Sequence, residues 1–233
     1  MNNTWKVSKY VFHDYKKSML VYYGVILGIF ILMTAAYLKI SAEPNSRIEF
    51  SGFGFSAVVF LFISGLNSFK AYFKFMQANN VSRKRFFLGT MVILILMAAL
   101  MASVDAVCNV VFKQLIPYEG LFTQVFKMQS FFTDILWSFS LMAFAVSSGW
   151  FITMLYYRCN KVMKLVVSFA PVFTFILLGI IDRLSMGIVQ RVVKLFLAVV
   201  LGSPYLSIVY YLLCSVVAFG LCYILIRRMP IKD

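Results

Sequence analysis

The chain has 233 residues, 62% of them apolar and 13% charged, with a mean hydropathy of +0.89 and a formal net charge of +14. Soluble domains run near 45–50% apolar and about 25% charged, so a soluble globular enzyme and a disordered chain are both excluded as classes. The 22 Lys and Arg fall in short clusters between apolar runs, a pattern that orients membrane proteins and leaves no loop long enough for a nucleic-acid-reading module, so no nucleic-acid partner is expected.

Residues 1–18 place Trp5, Ser8, Val11, Phe12, Tyr15 and Met19 at three- and four-residue steps, with Lys6, Lys9, His13, Lys16 and Lys17 between them. This spacing predicts an amphipathic elbow helix on the inner leaflet, with Trp5 and Tyr15 at headgroup level and lysines such as Lys9 facing anionic lipid. The plainer alternative is a basic flank that only sets topology. No cleavable signal peptide is expected, because the first apolar run is span-length and no small-residue cleavage site follows it.

Residues 19–38 carry no charge and are long enough to cross ~30 Å of hydrocarbon. Further spans are predicted at about 51–76, 84–112, 131–157, 164–181 and 205–226, with Gly202-Ser203-Pro204 as the break before the last. The stretch 183–201 carries Arg191 and Lys194 within an apolar pattern; it reads as an outward-side re-entrant or interfacial helix. The expected fold is thus an all-α membrane protein, one transmembrane domain over 1–233, with six transmembrane helices, the elbow helix and the re-entrant helix. Fifteen of the 22 Lys and Arg fall on the side of the N-terminus, the 70–85 loop, the 158–164 loop and the tail. Both termini are therefore expected in the cytoplasm.

Little in the chain suggests chemistry. There is no GxxxxGK[ST] phosphate loop, no GxSxG, and a single histidine, His13, which excludes an HExxH zinc site and disfavours a Ser–His dyad. No paired intramembrane carboxylates are evident. Cys108, Cys159, Cys214 and Cys222 lack CxxC spacing and read as small, lipid-compatible residues. The expectation is a chain that is not an enzyme and binds no cofactor or metal itself. Asp105 is the one acid within a long helical run; as an intramembrane polar group it is either a proton relay or a hydrated helix end. It lies about 29 Å beyond Phe86 at 1.5 Å per residue, near the outer interface, with Asn109 one turn on and able to hydrogen-bond it. Gly24 and Gly28 form GxxxG in the first span, and Ala145 and Gly149 form a weaker small-xxx-small pair in the fourth. Either pair suits close helix packing, within the chain or in a dimer.

The segment 70–85, KAYFKFMQANNVSRKR, is the most informative. Gln77-Ala78-Asn79-Asn80 predicts a turn, since Asn tolerates left-handed geometry at a helix end, and Ser82 is placed to N-cap the next helix. The result is a stiff basic knuckle, read either as a topology anchor or as a docking point for a cytoplasmic partner.

With the Asn79-Asn80-Val81-Ser82-Arg83-Lys84 turn, the Gly202-Ser203-Pro204 break and the closing Arg227-Arg228-Met229-Pro230, the whole chain resembles the permease subunit of an ATP-binding-cassette (ABC) transporter of the type-2 exporter class. It is most similar to the stand-alone permeases of Gram-positive bacteria that handle toxin or antimicrobial peptides, phenol-soluble-modulin exporters among them. Asn80 stands where that family's turn has Gly. The resemblance implies a permease dimer, homologous or identical, above two copies of a cytoplasmic ABC ATPase that bind ATP and Mg. It implies an amphipathic peptide as cargo. It also implies that Gln77, Asn79, Asn80, Val81, Ser82 and Arg83 form the ATPase-coupling contact, beside an elbow helix carrying Trp5, Lys9, Phe12 and Tyr15. The rival functions are a non-transporting immunity or sensor protein and an intramembrane enzyme.

Overall fold

The structure, a computed structural model, describes residues 3–40, 50–184, 187–227 and 229. These residues form helices α1 (Asn3–Ile40), α2 (Phe53–Asn67), α3 (Lys70–Ala78), α4 (Arg83–Leu115), α5 (Leu121–Phe126), α6 (Phe131–Arg158), α7 (Lys161–Leu184), α8 (Ile188–Leu201) and α9 (Pro204–Arg227). An isolated parallel bridge joins Phe50 to Tyr118. Five stretches are long and apolar enough to cross a membrane: Ser8–Lys39, Phe53–Ala78, Arg83–Leu115, Phe131–Arg158 and Pro204–Arg227. A sixth is reached if Ile176–Arg183 and Ile188–Leu201, bent by 114° to one another, make one broken span. The chain is therefore an all-helical, multi-pass type of molecule. Glu43, Glu49, Arg228 and Pro230 lie outside the described residues.

The bundle is built around α6, whose most apolar window is 56% buried by protein, against 11% for α1 and 22% for α9. The tightest contact is between α2 and α6. A Cβ on Gly65 would collide with the Val146 carbonyl oxygen, and a Cβ on Gly149 would collide with the Phe62 carbonyl oxygen. In lipid, apolar side chains gain little by leaving their surroundings, so backbone-to-backbone approach through small residues holds helices together. Above and below this crossing the gaps are filled by rings. Toward the α3 end, Phe69 stacks on Phe73, and both meet Phe86 and Tyr157 edge-on. At the opposite end Phe30 stacks on Phe112, with Phe53 and Tyr118 closing the cluster.

The expected elbow differs from the structure. Residues 3–18 run into the first span as one 38-residue helix, with no break near Met19. No Gly or Pro lies between Ser8 and Leu20, so nothing in the backbone ends the helix there. At 1.5 Å per residue α1 is about 57 Å long, well beyond ~30 Å of hydrocarbon. Its apolar stripe is spent on protein, not lipid. Val11 and Tyr15 are buried, Tyr10 stacks on Phe75, and Phe12 packs at the edge of the core. Hydrogen bonds rivet the helix along its length: Ser8 Oγ donates to the Gly89 carbonyl at 3.1 Å, Tyr15 to Ser64 at 2.8 Å and Tyr23 to Met101 at 3.3 Å. Lys9 is exposed on the opposite side. Trp5 lies in the first turns of α1, and its side chain is outside the described residues.

The predicted span 51–76 is realised as α2 and α3 with a break at Ser68. The Ser68 hydroxyl donates to the Gly65 carbonyl at 2.7 Å, and its own N–H reaches the same oxygen at 3.2 Å. This local bonding replaces the regular helical ladder. Between α7 and α8, Gly187 takes a left-handed φ of 83°. The Asp182 carboxylate accepts the Gln190 N–H at 3.0 Å, placing an anion at the start of α8, where helix N–H groups lack partners. Most of α7 and α8 is uncovered by protein: Val162, Leu165, Phe173, Val192 and Leu195 all have exposed side chains.

Candidate functional site

The α3–α4 turn is shaped by its own bonds. Asn80 sits at φ 56°, a left-handed conformation that Asn tolerates better than other non-glycine residues. The Asn79 side-chain amide donates to the Phe75 carbonyl at 2.8 Å, tying off the end of α3. The Gln77 side-chain amide donates to the Val81 carbonyl at 2.9 Å across the turn. Backbone bonds from Asn80 to Gln77 and from Val81 to Met76, both 3.0 Å, complete it. Asn79, Asn80 and Ser82 are exposed at the tip, while Gln77, Val81 and Arg83 are half-buried behind them. Ser82 occupies the N-cap position of α4 with extended dihedrals, but its hydroxyl makes no capping bond. The capping role expected of its side chain is therefore corrected: the turn is held by Asn79 and Gln77.

Arg83 has an internal task. Its guanidinium donates to the Arg227 carbonyl at 3.1 Å, satisfying one of the carbonyls left free at the end of α9. Tyr72, on α3, donates to the Asp14 carboxylate of α1 at 3.0 Å. The start of α1, the turn and the end of α9 are thus gathered at one end of the bundle. Lys84 and Arg85 remain exposed there. Replacing Arg83 with Ala is expected to loosen the last turn of α9 by about 1 kcal/mol, speeding amide exchange at residues 224–227 roughly fivefold. Unchanged exchange at those amides would show that the Arg83–Arg227 bond contributes nothing in solution.

The opposite end holds the acids. Asp105 is buried, and its Oδ2 stands 3.4 Å from where a Cβ on Gly54 would be, beside the first turn of α2. Asp134 lies in the first turn of α6. It accepts from Ser138 Oγ at 3.0 Å on one oxygen and from Asn109 Nδ2 at 3.3 Å on the other. Asp134 thus sits at a helix N-terminus, where free N–H groups attract negative charge, whereas Asp105 lies within α4 and is buried. The two acids also lie close enough to repel one another. The sequence reading of Asn109 as a partner of Asp105 is corrected: its amide goes to Asp134. Nearby, Asn109 Oδ1 is buried without a hydrogen-bond partner, and the Tyr118 hydroxyl is buried against the Phe53 and Gly54 backbone at the start of α2. Burial pushes the Tyr118 phenol pKa up, and the negative charge of Asp105 adds to the effect.

Gly24 and Gly28 are exposed, and a Cβ on either would meet nothing within 4 Å. Of the two readings left open for them, packing within the chain is not realised. The small residues that bring helices together here are Gly65 and Gly149. The sequence reading missed Gly65 altogether, because the carbonyl it faces, on Val146, is 81 positions away. Asp134 and Tyr118 were missed as site residues for the same reason; the only local signal was an acid near a helix start. Among the described residues no three His, Cys, Asp or Glu side chains come together. Compared with models of known families, with curated proteins and with solved structures, the chain matches none.

Proposed function

We propose that the chain is the transmembrane permease subunit of an ATP-driven ABC exporter, with amphipathic peptides of toxin or antimicrobial type as cargo. ATP and Mg belong to a separate cytoplasmic ATPase, present in two copies, and a second permease copy or a homologue completes the pathway. The observation that carries the reading is the α3–α4 turn: exposed at its tip, basic behind it, and held in one shape by side-chain bonds from Asn79 and Gln77. A topology anchor needs charge alone; a fixed shape suits a surface that receives force from a partner. The long apolar helices and the lack of any nucleotide motif support the same division of labour. Six crossings, with α7 and α8 as a broken span or a span plus re-entrant helix, return both termini to one side. The Lys and Arg distribution supports the cytoplasmic side for both, and the resemblance to Gram-positive permeases supports a bacterial cell membrane. Gly24 and Gly28, free of partners within the chain, are offered to the second copy.

Purification of the full-length chain from its native membranes tests this. A cytoplasmic ATPase of separate sequence should accompany it, and peptide should stimulate that ATPase. Peptide transport by the chain alone, driven by a proton gradient and abolished by Asp105→Asn, would contradict it. A second reading draws on the polar cluster at the far end: a non-transporting sensor or immunity protein would bind peptide there and show no ATP-dependent movement of it.

A further inference from the structure

Helix α8 has two unlike faces. Gln190 and Arg191 lie one turn before Lys194 and form a single polar stripe with it. All three are exposed. Among the described residues no acid stands within ion-pair distance of Arg191 or Lys194. The rest of the helix is apolar. Phe196 and Val200 face α9, where the Phe196 ring meets Tyr210 edge-on and the Val200 carbonyl accepts from the Ser207 hydroxyl. At 100° per residue the polar stripe lies on the side away from that contact. Ile188, Val192, Leu195 and Val199 flank the contact, and their side chains are exposed too. The position of α8 follows from its neighbours. The end of α9 is held at the basic turn through the bond from Arg83 to the Arg227 carbonyl, so the start of α9, and α8 with it, lie at the far end of the bundle.

The angle between the helices limits what α8 can do. A bend of 114° is past a right angle, so α8 turns back from the direction of α7 and cannot carry the same crossing onward. With α7, about 36 Å long, along the membrane normal, the 14 residues of α8 lie near the membrane plane over about 21 Å. Hydrocarbon on every side would leave Arg191 and Lys194 unpaired in oil, which is costly. Water on every side would leave Ile188, Val192, Leu195 and Val199 exposed to it. Only the boundary between the two suits both faces. Two cations without a protein partner then face the phosphate layer, and their charge selects lipids of net negative charge. We propose that α8 binds the headgroups of anionic phospholipid at the end of the bundle away from the basic turn, through Arg191 and Lys194, with its apolar flank in the acyl layer. The inference needs only that the chain sits in a membrane, and it stands or falls apart from the exporter reading.

The test maps photo-crosslinks on the unmodified, full-length chain in lipid nanodiscs, read residue by residue by mass spectrometry. Three diazirine lipids are used: phosphatidylglycerol labelled in the headgroup, phosphatidylglycerol labelled at the end of an acyl chain, and phosphatidylcholine labelled in the headgroup. The first should mark residues 190–194, and the second should mark the middle of α7 in preference to α8. The anionic headgroup probe should mark α8 about fivefold more than the phosphatidylcholine probe. Arg191→Gln with Lys194→Gln should abolish that preference while crosslinks along α9 are unchanged. If the double variant does not fold, the comparison of the two headgroup probes on the unmodified chain decides alone. Marking of residues 190–194 mainly by the acyl-end probe would place α8 in hydrocarbon and overturn the proposal. So would a lack of marking by any probe, which would mean that protein or bulk water covers the stripe. Equal marking by the two headgroup probes, or a preference that survives in a folded double variant, would remove the anionic lipid site.

Discussion

Gly149→Ala, and separately Gly65→Ala, should each lower the chain's folded stability in detergent by about 3 kcal/mol. Alanine is the better helix former by about 1 kcal/mol, so an isolated helix would gain. Here the added methyl meets a backbone carbonyl of the facing helix, Phe62 in one case and Val146 in the other. A carbonyl cannot rotate away as a side chain can, so α2 and α6 must separate along their length. Overpacking of this kind costs typically 1–3 kcal/mol, and a rigid obstacle puts each glycine at the upper end. The separation also loosens the seat of Trp150, which is buried against Phe87 and Phe219. Thermal unfolding in detergent should show a large fall in midpoint for each variant. Gly24→Ala with Gly28→Ala is the control: nothing stands within 4 Å of either added methyl, so the fold of one chain should be unharmed. A fall in midpoint no larger than the control's would remove the glycine crossing as the organising contact.

The double variant Asn79→Ala, Asn80→Ala should leave insertion intact and reduce ATP-dependent transport severalfold to tenfold. Asn79→Ala deletes the bond to the Phe75 carbonyl, worth about 1 kcal/mol. Asn80→Ala forces a less tolerant residue into φ 56°, at about 1–2 kcal/mol. The basic residues Arg83, Lys84 and Arg85 are untouched, so orientation should persist. Asn80→Gly separates shape from identity, since glycine adopts left-handed geometry freely, and it should transport normally. Ser82→Ala should also be nearly silent, because the hydroxyl caps nothing. Normal coupling in the double variant, correctly inserted, would return the turn to a charge-only anchor.

The helical, lipid-compatible character of the chain was legible from composition and run length, because a run of twenty uncharged residues has few other uses. The boundary at Gly202-Ser203-Pro204 was legible as well: α8 ends at Leu201 and α9 starts at Pro204, where local backbone chemistry alone decides. What sequence left hidden depends on partners far along the chain. The stripe of Val11, Phe12 and Tyr15 has the same period whether it faces lipid or protein, so an elbow on the membrane and a docked continuation of α1 are indistinguishable by pattern. GxxxG at Gly24 and Gly28 advertises close packing more strongly than Gly65 does, yet Gly65 is the one that has a facing backbone. Asn109 stands one turn from Asp105, and that proximity hid its bond to Asp134, 25 positions on.

The claim that energy comes from outside the chain is tested most directly by reconstitution. The full-length chain is placed in sealed liposomes with and without the ATPase that co-purifies with it, and movement of a labelled amphipathic peptide is followed on adding ATP and Mg. The account predicts movement only when chain, ATPase and ATP are all present, with the Asn79→Ala, Asn80→Ala variant well below the unmodified chain. Movement at full rate without the ATPase, or no ATP-dependent movement from a properly folded chain with its ATPase bound, would contradict it.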